Sequence, residues 1–88
     1  MKTTFLNHFY KDLDKIKDPV IKNEILPLIL QIEQIPELRM IQNLKKLKGY
    51  KYAYRLKLGN YRIGVFIEKD TIEFARIAHR KDIYNIFP

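Results

Sequence analysis

The chain has 88 residues, of which 17 are Lys or Arg and 10 are Asp or Glu, leaving a formal net charge of +7. Hydrophobic residues at 47% and charged residues at 31% exclude wholesale disorder, and the absence of cysteine excludes a disulfide framework or a thiolate metal site. No apolar run approaches the roughly 20 residues of a membrane span.

A chain of this length reads as one domain, residues 1–88, with a small core. The positive balance calls for an acidic partner: nucleic acid, a membrane surface or an acidic protein. The N-terminus has no apolar signal-peptide core, so the expected location is the cytoplasm.

In chain order, Lys2 to Leu6 predicts a first strand. Asn7 suits the cap of a helix from about His8 to Lys17, with Phe9, Leu13 and Ile16 inward and Lys11, Asp12, Asp14 and Lys15 toward water. Asp18-Pro19 starts a second helix, Asp18 at the cap and Pro19 where its missing N–H costs nothing. Ile21, Ile25, Leu28, Ile29, Ile32 and Ile35 then repeat at helical spacing. Pro27 is expected to kink or split this helix. The short connection between the helices predicts an antiparallel hairpin.

Glu37 to Gly49 is compatible with a helical turn followed by an extended lead-in, and it carries Lys45, Lys46 and Lys48. With Lys51 these form a candidate rim for positioning phosphates, although a solvated connection would look the same.

Tyr52 to Ile67 is the most informative stretch. Aromatic and β-branched residues alternate with polar ones, and Gly59-Asn60 between them is a hairpin turn. That turn predicts the pairs Leu58/Tyr61, Lys57/Arg62, Leu56/Ile63, Arg55/Gly64 and Tyr54/Val65. One face is then apolar, including Tyr52, and the other carries Arg55, Lys57 and Arg62. Opposed cations are destabilising unless an anion neutralises them, although their stems can also cover apolar surface. Gly64, without a side chain opposite Arg55, predicts close approach by a ligand or another backbone.

Lys69-Asp70 reads as a second turn and Thr71 to Ala78 as a further strand. Its expected register puts Ile72 and Phe74 in the core and Ala75, Ile77 and His79 on the side of Arg62. Arg76 would face inward and need a partner. Asp82 suits the start of a short helix to Phe87.

Taken together, the strand, the helical hairpin, KKLKG, the YRLKLGNYRIGVF hairpin and the closing ARIAHRKDIYNIF resemble toxins of the RelE/ParE superfamily from type II toxin–antitoxin systems. The resemblance spans nearly the whole chain. It implies an α+β fold, an N-terminal strand and helical hairpin on a four-stranded antiparallel sheet with a short C-terminal helix. It also implies, for the RelE branch, a ribosome-dependent messenger RNA endonuclease acting in the A site without metal or other cofactor. The 2′-OH attacks the adjacent phosphate, leaving a 2′,3′-cyclic phosphate and a 5′-OH.

By the same likeness the catalytic candidates are Arg55, Lys57, Arg62, Arg80 and Tyr84, with His79 at a variable basic position. Asn60 stands where the family's Gly-Tyr-Arg motif has glycine. Arg62 suits a clamp on phosphate oxygens and Lys57 an acceptor for the 2′-OH proton, while Tyr84 suits base stacking. Arg80 neutralising the leaving oxygen and His79 as general acid are alternatives. The implied partners are the ribosome, its message and a cognate acidic antitoxin in a hetero-oligomer, with no membrane. The rival readings are a ParE-like inhibitor of DNA gyrase and a non-catalytic module that binds antitoxin or RNA.

Overall fold

A computed structural model, describing residues 1–88, orders the chain as β1 (Lys2–Phe5), α1 (Asn7–Lys15), α2 (Pro19–Glu33), a 3₁₀ turn (Leu38–Met40), β2 (Leu44–Lys46), β3 (Ala53–Leu58), β4 (Tyr61–Glu68), β5 (Thr71–His79) and α3 (Ile83–Ile86). The strands form one sheet in the order β1-β5-β4-β3-β2. The four from β2 to β5 are antiparallel as expected, but β1 joins the edge parallel to β5, making a five-stranded mixed sheet. Phe5 accounts for this addition: its ring stacks on Phe74 of β5 with centroids 5.2 Å apart.

The Gly59-Asn60 turn sets the β3–β4 register, and all five predicted pairs are present. Gly59 has φ +56°, the left-handed conformation that glycine adopts without a Cβ penalty. The weaker Lys69-Asp70 turn also holds, with Glu68 opposite Thr71. Tyr52 falls just outside β3 and is exposed rather than part of the apolar face.

That face is covered by α1 and α2. Ile21, Ile25, Ile29 and Ile32 fall four, four and three residues apart and are all buried, forming one core with Phe9, Leu56, Ile63, Val65, Phe74 and Ile77. Asp18 caps α2 by accepting hydrogen bonds from the N–H groups of Val20 (3.0 Å) and Ile21 (3.4 Å). Pro27 neither splits nor ends α2, which runs unbroken to Glu33. Pro27 and Asn23, whose carbonyl loses its donor, are both exposed, so that oxygen is left on the solvent side of the helix while the isoleucine stripe packs on the other.

α1 departs from expectation at its start and in its polar face. Leu6, not Asn7, is the N-cap, and the helix stops at Lys15. Asp12, expected in water, is buried at 7% exposure. β1 ends at Phe5, so the β5 edge beyond Phe74 has no strand partner, and Asp12 supplies the missing acceptor. Its Oδ2 accepts the Ile77 N–H at 3.0 Å. The Arg76 guanidinium grips the same carboxylate with two hydrogen bonds, of 2.8 and 3.1 Å. This bond, more than the Coulomb attraction, raises the Arg76 pKa further, while burial opposes it.

Arg76 thus finds the partner it needed, through a changed register. A bulge at Gly64/Val65 lets β5 insert one residue, so Gly64 pairs with Arg76 while Val65 pairs with Phe74. The alternation beyond it is reversed. Ile77 goes into the core instead of joining Arg62, and Ala78 takes the place opposite Arg62.

Candidate active site on the open sheet face

The face away from α1 and α2 has a floor of small residues. Ala53, Ala75, Ile83 and Phe87 form a second buried cluster, with Phe66 at its margin. The close approach predicted at Gly64 is made by the chain's own Phe87 ring rather than by a ligand or backbone. A Cβ on Gly64 would lie 2.5 Å from Phe87 Cδ2 and 2.7 Å from Cδ1. This seat anchors α3, and with it Tyr84.

Gly64→Ala should therefore expel Phe87, costing about 1–3 kcal/mol. In a Phe87→Ala background the same substitution should be nearly neutral. Thermal denaturation of the two single variants and the double variant checks this coupling.

Toward the Gly59-Asn60 end the floor gives way to cations. Lys57 and Arg62 pair across β3 and β4, and the Arg80 N–H donates to Asn60 O at 2.7 Å. One turn therefore gathers the backbones of all three residues. Arg62 Nη1 donates to Gly59 O and Tyr61 O, both at 2.9 Å. These carbonyls hold the guanidinium by one nitrogen, while its Nε and Nη2 have no protein acceptor. The two ion pairs of the structure are Arg39–Glu37 and Arg76–Asp12, so no carboxylate neutralises Lys57, Arg62 or Arg80.

The other candidates are less alike. Arg55 is half-buried one row away, its Nη1 donating to Asn43 O at 3.2 Å and its Nε buried without a partner. Lys45 faces it across β2 and β3. Tyr84 is 57% exposed on α3. His79, expected on the side of Arg62, is turned away by the bulge and pairs with Tyr61, ring centroids 5.7 Å apart. Its Nδ1 accepts the Lys81 N–H at 3.2 Å, which leaves Nε2 to carry the proton. His79 thus lies on the face opposite Arg62, while the Arg80 backbone is tied to the turn that carries Lys57 and Arg62. No three His, Asp or Glu side chains gather as a metal-ligating group.

Sequence reasoning missed the Phe87 seat and the tie between Arg80 and Asn60. Gly64 was a usable signal for the first; nothing local signals the second.

Such an arrangement can hold a phosphate between unneutralised cations. The model of the ParE toxin of type II toxin–antitoxin systems matches residues 4–84. The chain belongs to the RelE/ParE superfamily of toxins. It is 40% identical to toxin RelE3 of Methanocaldococcus jannaschii over the full length of both chains. In the crystal structure of a RelB–RelE antitoxin–toxin complex from Methanococcus jannaschii, a chain 39% identical superposes with a TM-score of 0.81, covering 97% of this chain and 99% of the other. A chain of the RelBE2 complex from Mycobacterium tuberculosis, 23% identical, shares the fold with a TM-score of 0.71 over 90% of this chain and 96% of the other. This RelE/ParE protein is accordingly a RelE-like toxin of a type II toxin–antitoxin system.

Proposed function

We propose that this toxin is a ribosome-dependent, metal-independent messenger RNA endonuclease that cuts in the A site. What supports this reading is that one turn draws together the backbones of Lys57, Arg62 and Arg80, none of which has a carboxylate partner. Lys57, in its neutral form, accepts the proton of the ribose 2′-OH as that oxygen attacks phosphorus. Charge accumulates on the non-bridging oxygens, where the unoccupied edge of Arg62 stabilises it more than in the ground state. The bond from phosphorus to the 5′-oxygen breaks, leaving a 2′,3′-cyclic phosphate. Arg80 stabilises the departing oxygen electrostatically, and that oxygen takes its proton from water. Tyr84 stacks a splayed base, an interaction worth about 1–3 kcal/mol.

Lys45, opposite Arg55, and Lys48 and Lys51 in the loop that follows extend the positive surface toward ribosomal RNA, whereas Lys46, expected with them, pairs with Tyr54 and belongs to the other face of the sheet. The partner outside the ribosome is a cognate acidic antitoxin, and the two form a hetero-oligomer in the cytoplasm. Supporting this is the RelB chain that accompanies the RelE relative, together with a groove of about 390 Å³ lined by Phe5, Phe9, Tyr10, Leu13 and Leu26, with Lys22 also on its wall. An amphipathic acidic segment satisfies both the apolar wall and the +7 charge.

Primer extension on a message carried by translating ribosomes tests the reading, with a new stop inside the A-site codon expected. The ParE name of the matching family model favours a second reading, inhibition of DNA gyrase. Intact message together with blocked supercoiling would establish that one instead.

A further inference from the structure

The loop between β2 and β3 continues the basic surface in the order Lys48-Gly49-Tyr50-Lys51-Tyr52. Gly49 takes φ +88°, and nothing lies within 4 Å of where its Cβ would be, so the loop turns out into open space. The Tyr50 N–H donates to Leu47 O at 3.3 Å and closes the turn.

The two tyrosines are not equivalent. Lys51 Nζ lies 5.4 Å from the Tyr52 ring centroid, and Tyr52 borders a net acidic corner where Glu68, Asp70 and Glu73 outnumber Lys69. Tyr50 is 52% exposed and has neither an aromatic nor a cationic partner for its ring. A bare ring between two lysines offers single-stranded nucleic acid a stacking face beside contacts for its phosphates.

Its place in the fold gives this offer a direction. β3 runs six residues from this loop to the turn beside Lys57, about 20 Å, with the Lys45/Arg55 pair between. The acidic corner lies where β4, β5 and β1 meet, which leaves the β2–β3 side as the path for a polyanion.

We infer that Tyr50 is a base-stacking station for single-stranded RNA, with Lys48 and Lys51 holding the adjoining phosphates, at the far end of a track that begins at Lys57. RNA as the ligand rests on the ribonuclease reading, but the inference concerns binding and is measured without cleavage.

The probe is a labelled 2′-O-methyl oligouridylate of about twelve nucleotides, within the usual range of single-strand site sizes and unable to react through its 2′-oxygen. Fluorescence anisotropy over a salt series reads its affinity for the full chain. Tyr50→Ala should weaken binding about 5- to 150-fold with an unchanged salt slope. Lys48→Gln should instead reduce the slope by about 0.7. Tyr50→Phe should bind like the parent. Polyphosphate, which has charge but no bases, should bind Tyr50→Ala and the parent equally.

An unchanged affinity in Tyr50→Ala overturns the inference, as does equal loss of polyphosphate binding, failure of Tyr50→Phe to bind, or no oligouridylate binding by the parent. Tyr50-dependent binding with uncut message removes the nuclease reading and leaves the stacking station. Cleavage without a Tyr50 effect does the reverse.

Discussion

Replacing Arg62 with Ala is expected to slow message cleavage on ribosomes by about 10²- to 10³-fold, the usual effect of losing one preorganised donor to a developing oxyanion. The fold should survive, because Arg62 bonds only to the carbonyls of Gly59 and Tyr61 at a turn that water can reach. Losing those bonds leaves no buried unpaired charge, so the cost to the fold is small. Antitoxin affinity should also survive, since the apolar groove lies on the helical side of the sheet. Arg62→Lys should recover only part of the rate: it keeps the charge but loses the planar fork. Unchanged growth arrest by Arg62→Ala would instead favour a non-catalytic binding module.

The largest effect on stability is expected at Arg76. Arg76→Met leaves the Asp12 carboxylate buried with only the Ile77 N–H for company, and breaking a buried pair in this way costs about 3–5 kcal/mol. For a domain of this size that lowers the melting temperature by about 12–40 °C. Asp12→Asn should cost less, because the amide still accepts the Ile77 N–H and the partly exposed guanidinium can turn to water. Thermal denaturation of both variants tests the order. An equal or smaller loss in Arg76→Met would mean that Asp12 is held by the strand edge alone.

Much of the fold is legible in the chain because local rules and tertiary packing agree there. Gly59-Asn60 specifies a turn, the turn specifies a register, and the register opposes Lys57 to Arg62. The isoleucines of α2 at helical spacing are likewise buried as their pattern demands. What is not legible depends on partners far along the chain. Asp12 looks like a surface residue until β1, which ends opposite Phe74, proves too short to cover the β5 edge. Strict alternation sends His79 to the side of Arg62, and a single inserted residue reverses it. Gly64 announces a close neighbour without saying that it is Phe87, 23 positions later. Pro27 warns of a break that an exposed helix face does not need to make.

The positive side chains at the β3–β4 turn mark this end of the sheet for the candidate chemistry, and the bulge puts His79 on the other face. The most direct measurement is the chemical identity of the new ends when purified toxin meets programmed ribosomes. A 2′,3′-cyclic phosphate facing a 5′-hydroxyl, formed within the A-site codon, is the predicted result. Intact message, or a 3′-hydroxyl facing a 5′-phosphate, would contradict it.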